Sequence, residues 1–131
     1  TMSETSRTLP PLSIPRKAVI EGSITYSGSV ILEGTILGDV RCSNLLVTER
    51  GTVDGTISAE AATIMGEASG AIYANQVTLK TACSVTADIF HKNLALENGC
   101  YFEGKSRRVA NPLSLADRDA QENYASDGLV R

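Results

Sequence analysis

Apolar residues recur along this chain at a long and nearly fixed interval. Val30, Val47, Ile64, Leu79 and Leu96 are separated by 17, 17, 15 and 17 residues. Ile36, Val53, Ala68, Val85 and Phe102 form a second column with the same steps in shifted order. Val40, Ile57, Ile72 and Ile89 form a third. A single two-residue deletion between Ile64 and Ala68 accounts for every irregular step in all three columns. A shared interval with a shared deletion marks a repeat, in which each unit buries its apolar face against its neighbours.

Within one unit the apolar residues fall at strand spacing. Gly28, Leu45, Ala62, Val77 and Leu94 stand two positions before the members of the first column. That spacing puts both side chains on one face of a strand. The columns are rich in β-branched residues, and seventeen residues are too few for a pair of packed helices. The steps between columns within a unit are six, four and seven, which predicts three short strands and a three-sided coil. Gly38, Gly55 and Gly70 recur at one bend, where an unusual backbone angle favours glycine. Glu49, Arg50, Asp54, Glu60 and Lys80 fall between the columns, on the solvent side. The expected fold is an all-β, single-stranded parallel β-helix of five to six coils.

Proline marks the limits of this body. Pro10, Pro11 and Pro15 precede it and Pro112 follows it, because proline cannot donate to a sheet ladder. The expected organisation is a flexible tail over 1–17, a β-helix over 18–105 and a second flexible tail over 106–131. A short helix around Ser114–Tyr124, capped by Ser114, is conceivable within the second tail. Residues 1–17 carry a net +2, 18–105 a net −5, and 106–131 balance to zero. An acidic body without a basic stripe argues against a nucleic-acid partner. No run approaches the length of a membrane span, and no secretion signal is expected. Three cysteines without framework spacing fit a reducing compartment.

A stack of coils leaves open strand edges and apolar core at both ends, a hazard that β-proteins usually blunt. At the C-terminal end Leu94, Leu96, Tyr101 and Phe102 are the candidate contacts with another molecule. At the N-terminal end Val19, Ile20 and Ile24 hold the matching position. The alternative is that the tails fold back over these residues and cover them as ordinary core.

The segments GTILGDV (34–40), GTVDGTI (51–57) and ADIFHKNLALENGCYFEGK (87–105), with proline-bearing tails on both sides, resemble the bactofilins. These are bacterial polymer-forming cytoskeletal proteins. The resemblance implies a right-handed β-helix that assembles without nucleotide into non-polar filaments. It also implies a cytoplasmic protein at the inner face of the cytoplasmic membrane, which helps shape the cell by organising envelope or cell-wall proteins. The candidate anchor is the first tail, with Leu9, Leu12 and Ile14 near Arg7, Arg16 and Lys17. A solvated linker explains the same residues equally well.

Catalytic chemistry finds little support, and no catalytic residue, cofactor or metal is expected. Cys83 and Cys100 stack in adjacent coils, in a column continued by Gly34, Gly51 and Gly66, and read as small core residues. A left-handed β-helix acyltransferase is the enzymatic alternative, with His91, the only histidine, as its base. Its regular eighteen-residue coil does not match the seventeen-residue step. No glycine loop carries the Lys-Ser or Lys-Thr that a nucleotide phosphate requires. A non-polymerising adaptor, with the tails or Arg107 and Arg108 as binding elements, is the third possibility.

Overall fold

The computed structural model describes residues 10–117. Eight strands follow one another in sequence: β1 (Leu12–Ile14), β2 (Val19–Leu32), β3 (Thr35–Val47), β4 (Thr52–Ile64), β5 (Glu67–Leu79), β6 (Ser84–Leu96), β7 (Tyr101–Glu103) and β8 (Ser106–Arg108). Each pairs in parallel with the next through β7, and β8 returns to pair with β6. The result is a β-solenoid of about six turns, about 29 Å tall at the usual strand spacing of ~4.8 Å.

Each long strand bends around a three-sided coil. The first face carries 19–21, 35–37, 52–54, 67–69, 84–86 and 101–103. The second carries the segments in register with 23–26, ending in β8. The third begins with β1 and continues through 30–32, 45–47, 62–64, 77–79 and 94–96. Inward residues form continuous aliphatic ladders. Leu32, Val47, Ile64 and Leu79 are each fully buried, as are Ile36, Val53 and Val85. Burying each such side chain contributes roughly 1.5–3 kcal/mol, which is how an aliphatic core without tryptophan suffices.

The corner between the first and second faces shows why glycine repeats there. Gly38 and Gly55 have φ of 144° and 150°, and a Cβ on Gly55 would lie 1.9 Å from the Gly38 carbonyl oxygen. At Gly38, Gly55 and Gly70 the coils approach too closely for a side chain, whereas Ala87 takes the equivalent place in the following coil. The column Gly34, Gly51, Gly66, Cys83, Cys100 is also confirmed, linked by backbone bonds such as Thr52 N to Gly34 O at 2.9 Å. The shared deletion falls in the turn at Met65–Gly66, which is shorter than the equivalent turns at 48–51 and 80–83.

Several expectations require correction. Val30 does not head the column of Val47: Leu32 does, and Val30 stacks on Leu45. An extra residue bulges from β2 between Tyr26 and Ser29, shifting the register, and Gly28 falls within that bulge instead of above Leu45. The solenoid also extends beyond 18–105 at both ends. Leu12 and Ile14 pair with Val30 and Leu32 in β1, and Ile14 is buried. The chain is helical over 112–117, yet Ser114 is not its cap. Asn111 Oδ1 accepts from Ser114 N at 3.3 Å, and Pro112 takes the first position, where a missing N–H is harmless. The remainder of the expected tails, 1–9 and 118–131, lies outside the described residues.

Two substitutions at turns test this geometry by thermal denaturation. Gly55→Ala should cost about 3 kcal/mol or more, because two backbones must separate. Ala82 holds φ 74°, the left-handed region, where Gly99 sits in the next coil. Ala82→Gly should therefore raise stability by about 0.5 kcal/mol. A neutral Gly55→Ala would contradict the close approach of the coils.

Candidate polymerisation interface

The two ends of the solenoid are built from the same inward ladders that fill its middle. At the C-terminal end β7 and β8 stack on the first two faces of β6. Among the described residues no strand stacks on its third face, 93–96. Leu94 therefore lies half-buried and Leu96 is 52% exposed, although both continue the ladders of Val77 and Leu79. Phe102 packs against the core beneath it and closes the first-face ladder. Among the described residues, no further coil engages the backbone groups beside these three apolar side chains.

A stapled turn holds this end in shape. Glu97 accepts from Thr81 N at 3.0 Å and from Lys80 Nζ at 3.1 Å, locking turn 97–100 onto turn 80–83. The Thr81 N–H and the Lys80 ammonium hold the Glu97 carboxyl below its ordinary value. The pair is solvent-exposed, so its role is to fix geometry more than to add stability.

At the N-terminal end Leu12, Ile20, Ile24 and Tyr26 pack half-buried against the core. The Tyr26 hydroxyl donates to the Pro10 carbonyl, tying the incoming chain beside the first coil. The sequence missed Leu12, Ile14 and Tyr26 as parts of this end. Pairing with the ladder headed by Val30 and Leu32 would have revealed the first two.

The predicted contact residues therefore divide. Ile20, Ile24, Leu94, Leu96 and Phe102 point into the end faces. Val19 and Tyr101 do not: each is exposed on the outer side of the first face, and Tyr101 donates to Glu103 Oε1 at 2.6 Å. Strand parity explains this, since Ile20 and Phe102 occupy the inward positions next to them. Of the candidate anchor, Arg7 and Leu9 lie outside the described residues, and Arg16 and Lys17 are exposed at the first turn. Leu12 and Ile14 are taken into the solenoid and are not free to enter a membrane.

The sites weighed for catalysis are enclosed. Burial pushes the Cys42 thiol up to about 11, and burial with the neighbouring Cys100 does the same for Cys83. Both remain protonated at neutral pH and are poor nucleophiles. His91 is buried with Nε2 2.9 Å from Ser106 Oγ, while its buried Nδ1 has no partner.

The C-terminal end of this short parallel solenoid thus presents half-buried and exposed apolar ladder residues, with Glu97 and Glu103 at its margin. The bactofilins, described as polymer-forming cytoskeletal proteins, match residues 12–107, from the first strand into the last. The chain belongs to the bactofilin family. It is 32% identical over 88 residues to bactofilin BacO of Myxococcus xanthus (strain DK1622), spanning 66% of this chain and 70% of that one. It superposes with a TM-score of 0.72 on a Thermus thermophilus bactofilin solved as double helical filaments, at 25% identity, covering 75% of this chain and 99% of the other. A TM-score of 0.69 relates it to the cytoskeletal bactofilin BacA, solved by solid-state NMR, at 38% identity over 78% of this chain and 97% of that one. Membership assigns this bactofilin to a structural, filament-forming cytoskeletal class.

The buried His91 gives the C-terminal end a pH dependence. Burial, reinforced by the Arg108 charge, lowers its pKa from the ordinary 6.5. The folded state then binds fewer protons than the unfolded one, so stability is complete above 6.5 and falls with pH toward the depressed folded value. Thermal melts at pH 7.5 and 5.5 should show a larger loss for the wild type than for His91→Gln. Equal losses would contradict a buried neutral imidazole.

Proposed function

We propose that this bactofilin polymerises end to end without nucleotide, through like faces meeting, into non-polar filaments. The observation that supports this most is the C-terminal face, where Leu94, Leu96 and Phe102 surround an open strand edge. Another rod can cover the apolar surface and complete the ladder in one step, and all the required bonding groups reside in the protein. Two self-complementary contacts, one at each end, generate a non-polar chain by symmetry. The Thermus thermophilus relative was solved as double helical filaments, and we extend to this chain the pairing of two such filaments.

In this reading the filaments lie in the cytoplasm, peripheral to the inner face of the cytoplasmic membrane, and organise envelope or cell-wall proteins that shape the cell. With Leu12 and Ile14 in the core, the attachment rests on Arg7, Leu9, Arg16 and Lys17. A basic residue near an anionic leaflet gains about 1 kcal/mol, and polymerisation multiplies weak attachments along the filament.

Phe102→Arg tests the joint. A charge in a dry junction costs several kcal/mol, so the variant should remain as short rods by sedimentation and electron microscopy, with an unchanged circular dichroism spectrum. Normal filaments from a folded variant would remove Phe102 from the contact. For the membrane, Arg16→Glu/Lys17→Glu filaments should bind phosphatidylglycerol vesicles at least tenfold less than wild type; undiminished binding would reject these residues as the anchor.

A further inference from the structure

The three sides of the rod differ in chemistry, and that difference selects the surface on which two filaments can lie together. On the first face the outward positions include Glu21, Asp54, Glu67 and Glu103 and no basic residue. Two copies meeting there would oppose four carboxylates with four more. Like charges in direct opposition are destabilising.

The second face is already occupied. Strand alternation directs Ser58 and Tyr73 outward, between inward Ile57 and Ala59 and between inward Ile72 and Ala74. Both are nevertheless buried, at 5% and 8% exposure. The C-terminal segment supplies cover along this side: Ala116 is buried in a recess it shares with Arg41, Thr56 and Ser58, and Asp117 pairs with Arg41. Tyr73 and Phe90 stack with ring centroids 4.8 Å apart beside it.

Among the described residues the third face alone is both open and uncharged. Its outward positions within 29–31, 44–46, 61–63, 76–78 and 93–95 contain no Asp, Glu, Lys or Arg. Ile31, Leu46 and Thr63 border a shallow apolar groove that also reaches Pro11. Exposed Asn44 and Gln76 offer amides that can bond across to a second sheet. Because the coils repeat every ~4.8 Å, two such faces can match along their whole length.

We propose that the third face is the lateral contact between two filaments of this chain, with Leu46 and Thr63 at its centre. This deepens the filament reading and rests on it. The face is about 10–13 Å wide and ~29 Å tall, which offers about 350 Å² per rod. A stable complex usually buries about 800 Å² per partner. One rod therefore cannot hold another side by side, whereas a filament adds the contact once per subunit. Pairing follows polymerisation and is confined to polymers. A lipid surface is disfavoured as the occupant, because the face lacks the basic residues that meet anionic headgroups and sets Asn44 and Gln76 where acyl chains would lie.

The test is electron microscopy of full-length Leu46→Lys/Thr63→Lys, with circular dichroism to establish the fold. Wild-type filaments should be paired, and the variant should give single filaments of ordinary length, with the paired fraction reduced at least tenfold. Leu37→Lys, on the acidic first face, should leave pairing intact. Asn44→Asp/Gln76→Glu, nearly isosteric, repeats the test should the lysine variant fail to fold. Paired filaments in a folded third-face variant would overturn the proposal, as would loss of filaments altogether, which would place this face in the longitudinal joint. Retained pairing with lost binding to phosphatidylglycerol vesicles would reassign the face to lipid. Absence of filaments in the wild type would instead reject the end-to-end reading itself.

Discussion

Every coil of this protein satisfies its backbone through the coil before it and the coil after it. That constraint fixes the rest of the structure. It demands a near-constant rise, so the corner at Gly38, Gly55 and Gly70 closes until no side chain fits. It stacks like positions on like, so the core becomes a set of aliphatic ladders with no need for large aromatic residues. It also has no internal termination. The ladder that makes Val53 and Ile57 stable neighbours of the coil above is interrupted at Leu94, Leu96 and Phe102, where the same apolar positions remain without a further coil among the described residues.

The sides of the rod carry the complementary information. Outward residues contribute little to the core, so they are free to differ from face to face. One face is acidic, one is covered by the chain's own C-terminal segment, and one is uncharged. In the proposed filament the ends govern growth along the axis and the sides govern what lies beside it. His91 joins the two, since its ring is buried in the last complete coil and its neighbour Arg108 ends β8, after which the chain turns back along the outside of the second face.

Much of this was legible in the sequence because the repeat imposes a strict period. The ladders from Ile36, Val40 and Val47 onward, the glycine corner and the stacked cysteines followed directly from spacing. The irregular features did not. The bulge at 27–28 changes the register of one coil by a residue, and an apolar residue stood at both Val30 and Leu32 to hide it. Leu12 and Ile14 sit among three prolines, so their composition resembled a tail although their alternation was that of a strand. Val19 and Tyr101 were assigned to the ends by hydrophobicity, whereas parity turns them to the side. The cover over Ser58 left no periodic signal, since a helical segment packing on a sheet exterior needs only small or amphipathic residues beneath it.

The most direct measurement is the image power spectrum of filaments formed by the purified protein without nucleotide. Continuous stacking through the joints predicts a meridional reflection near ~4.8 Å, and like ends meeting predict an axial repeat of about 58 Å, two rods of six turns. A repeat of about 29 Å would show head-to-tail growth and contradict the non-polar joint. Discrete rods, or filaments without the 4.8 Å reflection, would contradict the claim that open β-helix ends drive assembly.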